Sequence, residues 1–231
     1  MNPKTIFIFC FVWLFGCTSQ KHYIGEQYLG AKYLNDPLGE GMAPDTDPLI
    51  RTDAFDCMTF VETALANGDL DKLTKIRYKN GQIDFLHRNH FVETDWMQNN
   101  ADLLENVSHQ YGQTETKTFV IDKKSWFKKT HHINTNFAKQ YGNIEYIPLI
   151  NIQQIKTDTP LIVLFISGNS KFYDKIETDL AVVHMGFLLP DGRLRHASQT
   201  KGRVVDTDFN EYINNRKQHK NNIGIALVRI K

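Results

Sequence analysis

The sequence predicts an α+β fold in which a helix carrying a candidate nucleophile packs on an antiparallel β-sheet, and three observations carry that expectation. From Cys57 onward the apolar residues Cys57, Phe60, Val61, Ala64 and Leu65 recur at the helical period. Beyond Pro160 the chain turns strand-rich, with runs from Leu161 to Ile166, Ala181 to Leu189, Arg193 to Ala197 and Ile223 to Ile230. A helical piece from about Asp208 to Asn215 interrupts them, and Pro190-Asp191-Gly192 is a turn that folds two of the strands back on each other. That order of elements favours helices packed on one side of the sheet.

The elements follow in chain order. Met1-Asn2-Pro3-Lys4 gives a short positive start, and Ile6 to Phe15 is an apolar run too short to span a bilayer as a mature helix. Leu14-Phe15-Gly16-Cys17 resembles a bacterial lipobox, in which Cys17 becomes the lipidated first residue of the mature chain. Phe15 is bulkier than that pattern prefers, so ordinary signal cleavage nearby stays open. Residues 1–17 are therefore expected to be an export segment and residues 18–231 a single catalytic domain. The expected location is the periplasm, with an outer-membrane lipid anchor at Cys17 as the one membrane attachment.

From about Tyr23 to Ala66 the pattern predicts an early helical segment, a turn-rich passage through Asp36-Pro37 and Ala43-Pro44, and the Cys57 helix. Residues 67–147 are polar and mixed and are read as a specificity insertion; within them Asn80-Gly81 predicts a hairpin between two short strands. Hydrophobic residues make up 41% and charged residues 23%, an ordinary globular balance. A net charge of +1 argues against a nucleic-acid binder that relies on phosphate attraction. The basic pairs Lys123-Lys124 and Lys128-Lys129 read as a solvated face. A monomer is expected.

Two signals carry chemistry. Cys57 is the thiol left over once Cys10 and Cys17 are assigned to the export segment, and an unpaired thiol in an exported chain is a candidate nucleophile. Asp56 stands at the N-cap position, which puts Cys57 in the first turn, where free amides and the helix dipole favour the thiolate. The second signal is the alternating run Val182 to Leu189, which places Val183, Met185, Phe187 and Leu189 on one face and His184 and Gly186 on the other. If Leu189 lies opposite Arg193, His184 falls opposite Ser198 and His196 becomes its same-face diagonal neighbour, roughly 7–8 Å away at the backbone. His184 is then placed to take the thiol proton while His196 fixes its tautomer.

Asp56-Cys57 opening a helix, followed by His184 and His196 on successive strands, resembles the NlpC-type branch of the papain-like cysteine hydrolases. Met58-Thr59 departs from the last two residues of that branch's Asp-Cys-Ser-Gly motif. The wider pattern is similar to a narrower group, first catalogued as a domain of unknown function and later recognised as anhydromuropeptide amidases. The similar stretches are residues 55–66, 76–81, 88–96, 184–186, 196–198 and 224–229. The resemblance implies an N-acetylmuramoyl-L-alanine amidase acting on soluble peptidoglycan fragments that carry 1,6-anhydromuramic acid, with Cys57, His184 and His196 as its catalytic set and no metal or cofactor. It also implies that Arg88, His90, Phe91, Asp95 and Trp96 line a substrate pocket: Arg88 would grip a stem-peptide carboxylate, and Phe91 or Trp96 would stack on a sugar. Ser198 and Lys201 are further cleft candidates.

Three alternatives are weighed beside it. Nine histidines, with His87 and His90 at helical spacing and His131 next to His132, raise a zinc hydrolase, but no compact ligand set such as His-Glu-x-x-His appears. A non-catalytic lipoprotein that binds muropeptides would have no need of all three catalytic residues. A γ-D-glutamyl-diaminopimelate endopeptidase would keep the chemistry and change the bond.

Overall fold

A computed structural model describes residues 23–168 and 178–231, so the readings made of the export segment and of Cys17 lie outside the described residues. In chain order the elements are β1 (Lys32–Tyr33), β2 (Ala54–Phe55), α1 (Cys57–Ala66), α2 (Leu70–Arg77), a π-helical turn (Val92–Trp96) that runs into the short α3 (Met97–Asn99), and β3 (Leu104–Asn106). There follow β4 (Glu115–Ile121), α4 (Lys123–His131), β5 (Gln140–Pro148), β6 (Leu161–Ser167), β7 (Val182–Leu188), β8 (Arg193–Ser198), β9 (Arg203–Asp208), α5 (Phe209–Lys217) and β10 (Asn222–Ile230). The strands form one sheet in the order β2-β1-β9-β8-β7-β6-β10-β5-β4, with β3 also on β10. Its pairings are antiparallel except β1 with β2. The fold is α+β, as the sequence predicts.

The cap at Asp56 forms fully. Asp56 Oδ1 accepts from the Thr59 amide at 2.8 Å, and the Asp56 amide donates to Thr59 Oγ1 at 3.0 Å. Thr59, one of the two residues that depart from the family motif, thus closes a reciprocal capping box. The helix ends at Asn67 and Gly68, both in the left-handed conformation that stops helices.

The sheet carries a core on each face, which differs from the one-sided packing expected. β6 is buried throughout, and its alternate residues point to different cores. Ile162, Leu164 and Ile166 meet α1, whereas Leu161, Val163 and Phe165 meet Phe209 and Ile213 of α5. An uninterrupted apolar strand is what coverage on both faces requires. The α5 helix supplies the second layer.

Other local readings also change. The early helical segment is a single 3₁₀ turn, Glu26–Tyr28. Asn80 and Gly81 do take the left-handed conformation a tight turn needs, with φ 58° and 69°, but they do not join two strands. Arg77 closes α2, whose start Asp69 caps and whose Leu73 and Ile76 are buried; beyond the turn only an isolated bridge pairs Tyr78 with Arg88. Within 67–147, read as polar and mixed, β4 and β5 instead pair over seven residues, with α4 inserted between them. Lys123 opens that helix and is drawn into a buried ion pair with Asp95, so it is not part of a solvated face.

Candidate active site

Cys57 stands at the first position of α1, half-buried, and α1 lies against β7 and β8. β7 and β8 pair at Phe187 with Arg195 and at Leu188 with Leu194, in the register set by the Leu189–Arg193 closure. Toward Met185 and Ala197 that ladder is not continued. The main-chain amide of Met185 acts instead on the Cys57 thiol, together with the amides of Cys57 and Met58. The nucleophile candidate therefore meets the strand of His184 where the ladder opens.

His184 lies on the α5 face, directly across from Phe165 of β6. Its Nε2 shares a hydrogen bond of 2.7 Å with Nδ1 of His196. That is the diagonal pair the register predicts. Gly186 makes it possible: a Cβ there would lie 2.7 Å from the Arg195 carbonyl oxygen and 2.8 Å from the His196 Cβ. One expectation about β7 needs correction. Val183 does not share the face of Met185, Phe187 and Leu189; the register against β6 shifts between Phe165 and Ile166, so Val183 bulges outward and Val182 joins the core instead. Two residues opposite one partner reverse the alternation on one side of the bulge.

Tyr212 of α5 closes the site from below, with its ring 5.0 Å from His196 and 6.3 Å from His184. Tyr33 of β1 and Tyr212 both feel the charge of a Cys57 thiolate. Glu93, in the π-helical turn, accepts the Val182 amide at 2.6 Å and anchors the start of β7 two residues before His184. Tyr33 and Tyr212 belong to no local motif and Glu93 lies within the 88–96 stretch without being singled out there, so the contacts of all three become visible only in the tertiary structure.

The electrostatics correct the expected thiolate. Burial, seconded by the Asp56 carboxylate, pushes the Cys57 thiol up to about 12, against the three amides that favour ionisation. Burial, His196 and Arg216 hold His184 well below the ordinary histidine range, and burial first and Arg216 second hold His196 at about 4. The resting pair is a neutral thiol and a neutral imidazole, and no hydrogen bond joins Cys57 to His184 among the described residues.

The residues expected to line a substrate pocket divide. The fork of Arg88 is consumed within the protein: Nε and Nη2 donate to both oxygens of Glu40 at 2.8 and 2.7 Å, and Nη2 also reaches Asp45 at 2.6 Å. It clamps the 36–45 loop, so its fork is not free for a peptide carboxylate. Phe91 and Trp96 are 3% and 0% exposed and present no ring face to solvent. They belong to the core, although the π-helical turn that carries Trp96 is mostly polar in sequence. Asp95 is buried against Lys123 and accepts the Phe91 amide at 3.2 Å. His90 donates from Nε2 to the Phe85 carbonyl at 2.7 Å and packs beside Trp126. Ser198 accepts the Lys201 amide at 3.2 Å and, with Lys201, lines a cavity behind His196. A smaller cleft of about 180 Å³ adjoins the start of α1 and is lined by Asp36, Asp56, Met58, His90 and Trp126 among others. His87 turns to Asp84 and His90 to Phe85, and among the described residues no three His, Cys, Asp or Glu side chains gather in a metal-binding group.

An open, mostly antiparallel sheet with helices on both faces defines an α+β protein, with a hydrogen-bonded histidine pair on the strands that the Cys57 helix packs against. The chain belongs to the AmiA-like, N-acetylmuramoyl-L-alanine amidase-like family, whose model matches residues 23–224. The structure is similar to that of a protein from Legionella pneumophila str. Philadelphia 1, with 24% identity, 90% of this chain and 86% of that one covered, and a TM-score of 0.82. It is also similar to an N-acetylmuramoyl-L-alanine amidase from Bacteroides uniformis, with 22% identity, 90% and 95% covered, and a TM-score of 0.67. At these identities the likeness is one of fold. No curated protein matches the sequence.

Proposed function

We propose that this protein is a papain-like, NlpC-type thiol amidase that cleaves the bond between the lactyl group of N-acetylmuramic acid and L-alanine in soluble muropeptides, with 1,6-anhydro fragments preferred. The observation that carries the reading is the His184–His196 hydrogen bond beside the capped Cys57 helix, in a chain of this family. The resemblance in motif supports the anhydro preference, and the amino-terminal sequence supports export to the periplasm with Cys17 as a lipid anchor.

In this reading His184 Nδ1 takes the Cys57 proton as the sulfur attacks the lactyl carbonyl, because Nε2 is engaged with His196. His184 must then carry its own proton on Nε2 and donate it to His196 Nδ1, which fixes both tautomers. The tetrahedral intermediate collapses to a thioester and expels the stem peptide as His184 protonates the alanine nitrogen. A water activated by His184 then hydrolyses the thioester, which frees the disaccharide and regenerates the thiol. The Cys57 amide is one oxyanion donor. The Tyr33 hydroxyl supplies the second: burial, Cys57 and Asp56 push its pKa up to about 12, so it stays a donor at neutral pH. The cleft beside Met58 and Trp126 receives the peptide side of the substrate.

Mass spectrometry of products from an anhydro-disaccharide tetrapeptide tests the specificity. Free disaccharide and intact tetrapeptide are expected, with EDTA without effect. Cleavage after D-glutamate would replace the amidase with an endopeptidase, and loss of turnover with EDTA would replace the thiol with a metal.

A further inference from the structure

We propose that the cavity behind the histidine pair binds a small oxyanion, a carboxylate or a phosphate, which accepts a hydrogen bond from His196 Nε2 and pairs with Arg216. The inference deepens the thiol-amidase reading and rests on its proton assignment, in which His196 must carry its proton on Nε2. That nitrogen is buried, in a residue 2% exposed, and has no hydrogen-bond partner among the described residues. A buried donor without an acceptor is unfavourable, and an acceptor in the cavity it lines relieves the cost.

The cavity has about 520 Å³, room for more than one small ion, and its charge has one sign. His184, His196, Lys201, Arg216 and His219 line it, and among the described residues no carboxylate does. Arg216 is held at the wall by neutral groups. Its Nη1 donates to the Tyr212 hydroxyl at 3.3 Å, its Nη2 donates to Asn222 Oδ1 at 3.0 Å, and its guanidinium lies over the Phe165 ring at 4.6 Å. Among the described residues no ion pair engages it, and a planar guanidinium with donors to spare is suited to a carboxylate or phosphate.

The groups around the dyad also show what an anion would change. His184 faces Phe165 from β6, His196 from β8, and Tyr212 and Arg216 from α5. The one carboxylate acting on His196 is Asp206, and Arg195 holds it through both oxygens at 2.8 Å while Arg193 binds it as well. Among the described residues, therefore, no unneutralised negative charge supports an imidazolium at His184. An oxyanion against His196 and Arg216 supplies one, and so favours the proton transfer that attack requires.

The test titrates sodium acetate, inorganic phosphate and the free stem tetrapeptide separately into the purified protein. Nitrogen NMR of the imidazoles reads His196 Nε2, and alkylation of Cys57 by iodoacetamide at pH 7 reads the thiolate. The expected result is a saturable shift of the His196 Nε2 resonance with at least threefold faster alkylation. Arg216→Gln should lose the response and Arg216→Lys should keep it. Asn215→Asp, which puts a carboxylate on the cavity wall, should weaken binding at least threefold, and Lys72→Gln on α2 should behave as the unaltered protein. Saturation by acetate or phosphate supports a free ion as the ligand, and saturation by the tetrapeptide alone supports a stem-peptide carboxylate. A response that does not saturate and is common to all variants, or no response, overturns the site. It would leave the amidase reading standing, since neither readout depends on turnover.

Discussion

Gly186 and His196 face each other across β7 and β8, and the missing side chain of one is what admits the ring of the other. With a Cβ at 186 only 2.8 Å from the His196 Cβ and 2.7 Å from a fixed carbonyl oxygen, either the ring or the strand must move. Gly186→Ala is therefore expected to break the 2.7 Å contact with His184 and to lower kcat by on the order of 10²-fold or more, since displacements near 1 Å cost that much. Steady-state kinetics on an anhydromuropeptide, with thermal unfolding to establish that the variant folds, checks it. Unchanged kcat would mean the histidine pair is not needed.

Asp56 both builds and hinders the site. Its carboxylate caps α1 through the Thr59 amide, and it seconds burial in raising the Cys57 thiol. Asp56→Asn keeps an acceptor oxygen at the cap and removes the charge. Cys57 should then ionise at lower pH, and the pH profile of its alkylation by iodoacetamide should move to the acid side. Thr59→Ala, by contrast, should cost about 1 kcal/mol of stability through the capping box and leave that profile nearly in place.

How much of this was legible in the sequence depends on which residues set it. The Asp56 cap, the strands at 161–166, 181–189, 193–197 and 223–230 and the His184–His196 diagonal follow from local chemistry and a period of two, and they appear as expected, whereas β9 (Arg203–Asp208) is a fifth strand that the reading does not contain. The bulge at Val183 escapes that logic, because pairing with β6 sets it and β7 alone does not. β4 and β5 are mostly exposed at their outer ends, so their apolar signal is thin, and α4 breaks it in two. The ion pairs of Arg88 and the burial of Phe91 and Trp96 escape that logic for another reason. Residue type suggests a pocket, but whether an Arg or an aromatic ring faces ligand or core is decided by distant partners such as Glu40 and Phe119.

Tyr33 provides a kinetic test of the oxyanion assignment. Removing one such donor typically costs about 10²–10³ in kcat. Tyr33→Phe should show a loss of that size with KM nearly unchanged, because the bond to the oxyanion forms only in the transition state. An equal loss carried in KM would place Tyr33 in ground-state binding.

Glu93 gives a pH signature in stability. Burial raises its carboxyl from 4.5 to about 7 in the folded protein, so the folded state holds a proton that the unfolded chain releases above pH 4.5. Its contribution is fully present below pH 4.5 and is lost as pH rises through 7. Glu93→Gln keeps an oxygen for the Val182 amide and removes the titration. The stability of the original protein relative to this variant should fall between pH 4.5 and 7.5 by on the order of 2 kcal/mol, as read by urea unfolding. A constant difference would place an ionised Glu93 in the folded state.

The central claim is that Cys57 becomes acylated by the muramic acid side of the substrate. Intact-protein mass spectrometry of acid-quenched turnover, followed by peptide mapping, tests it most directly. An adduct with the mass of the disaccharide-lactyl acyl group, located on Cys57 and absent from Cys57→Ala, is the predicted result. Turnover that persists in Cys57→Ala with no adduct on the protein would contradict it.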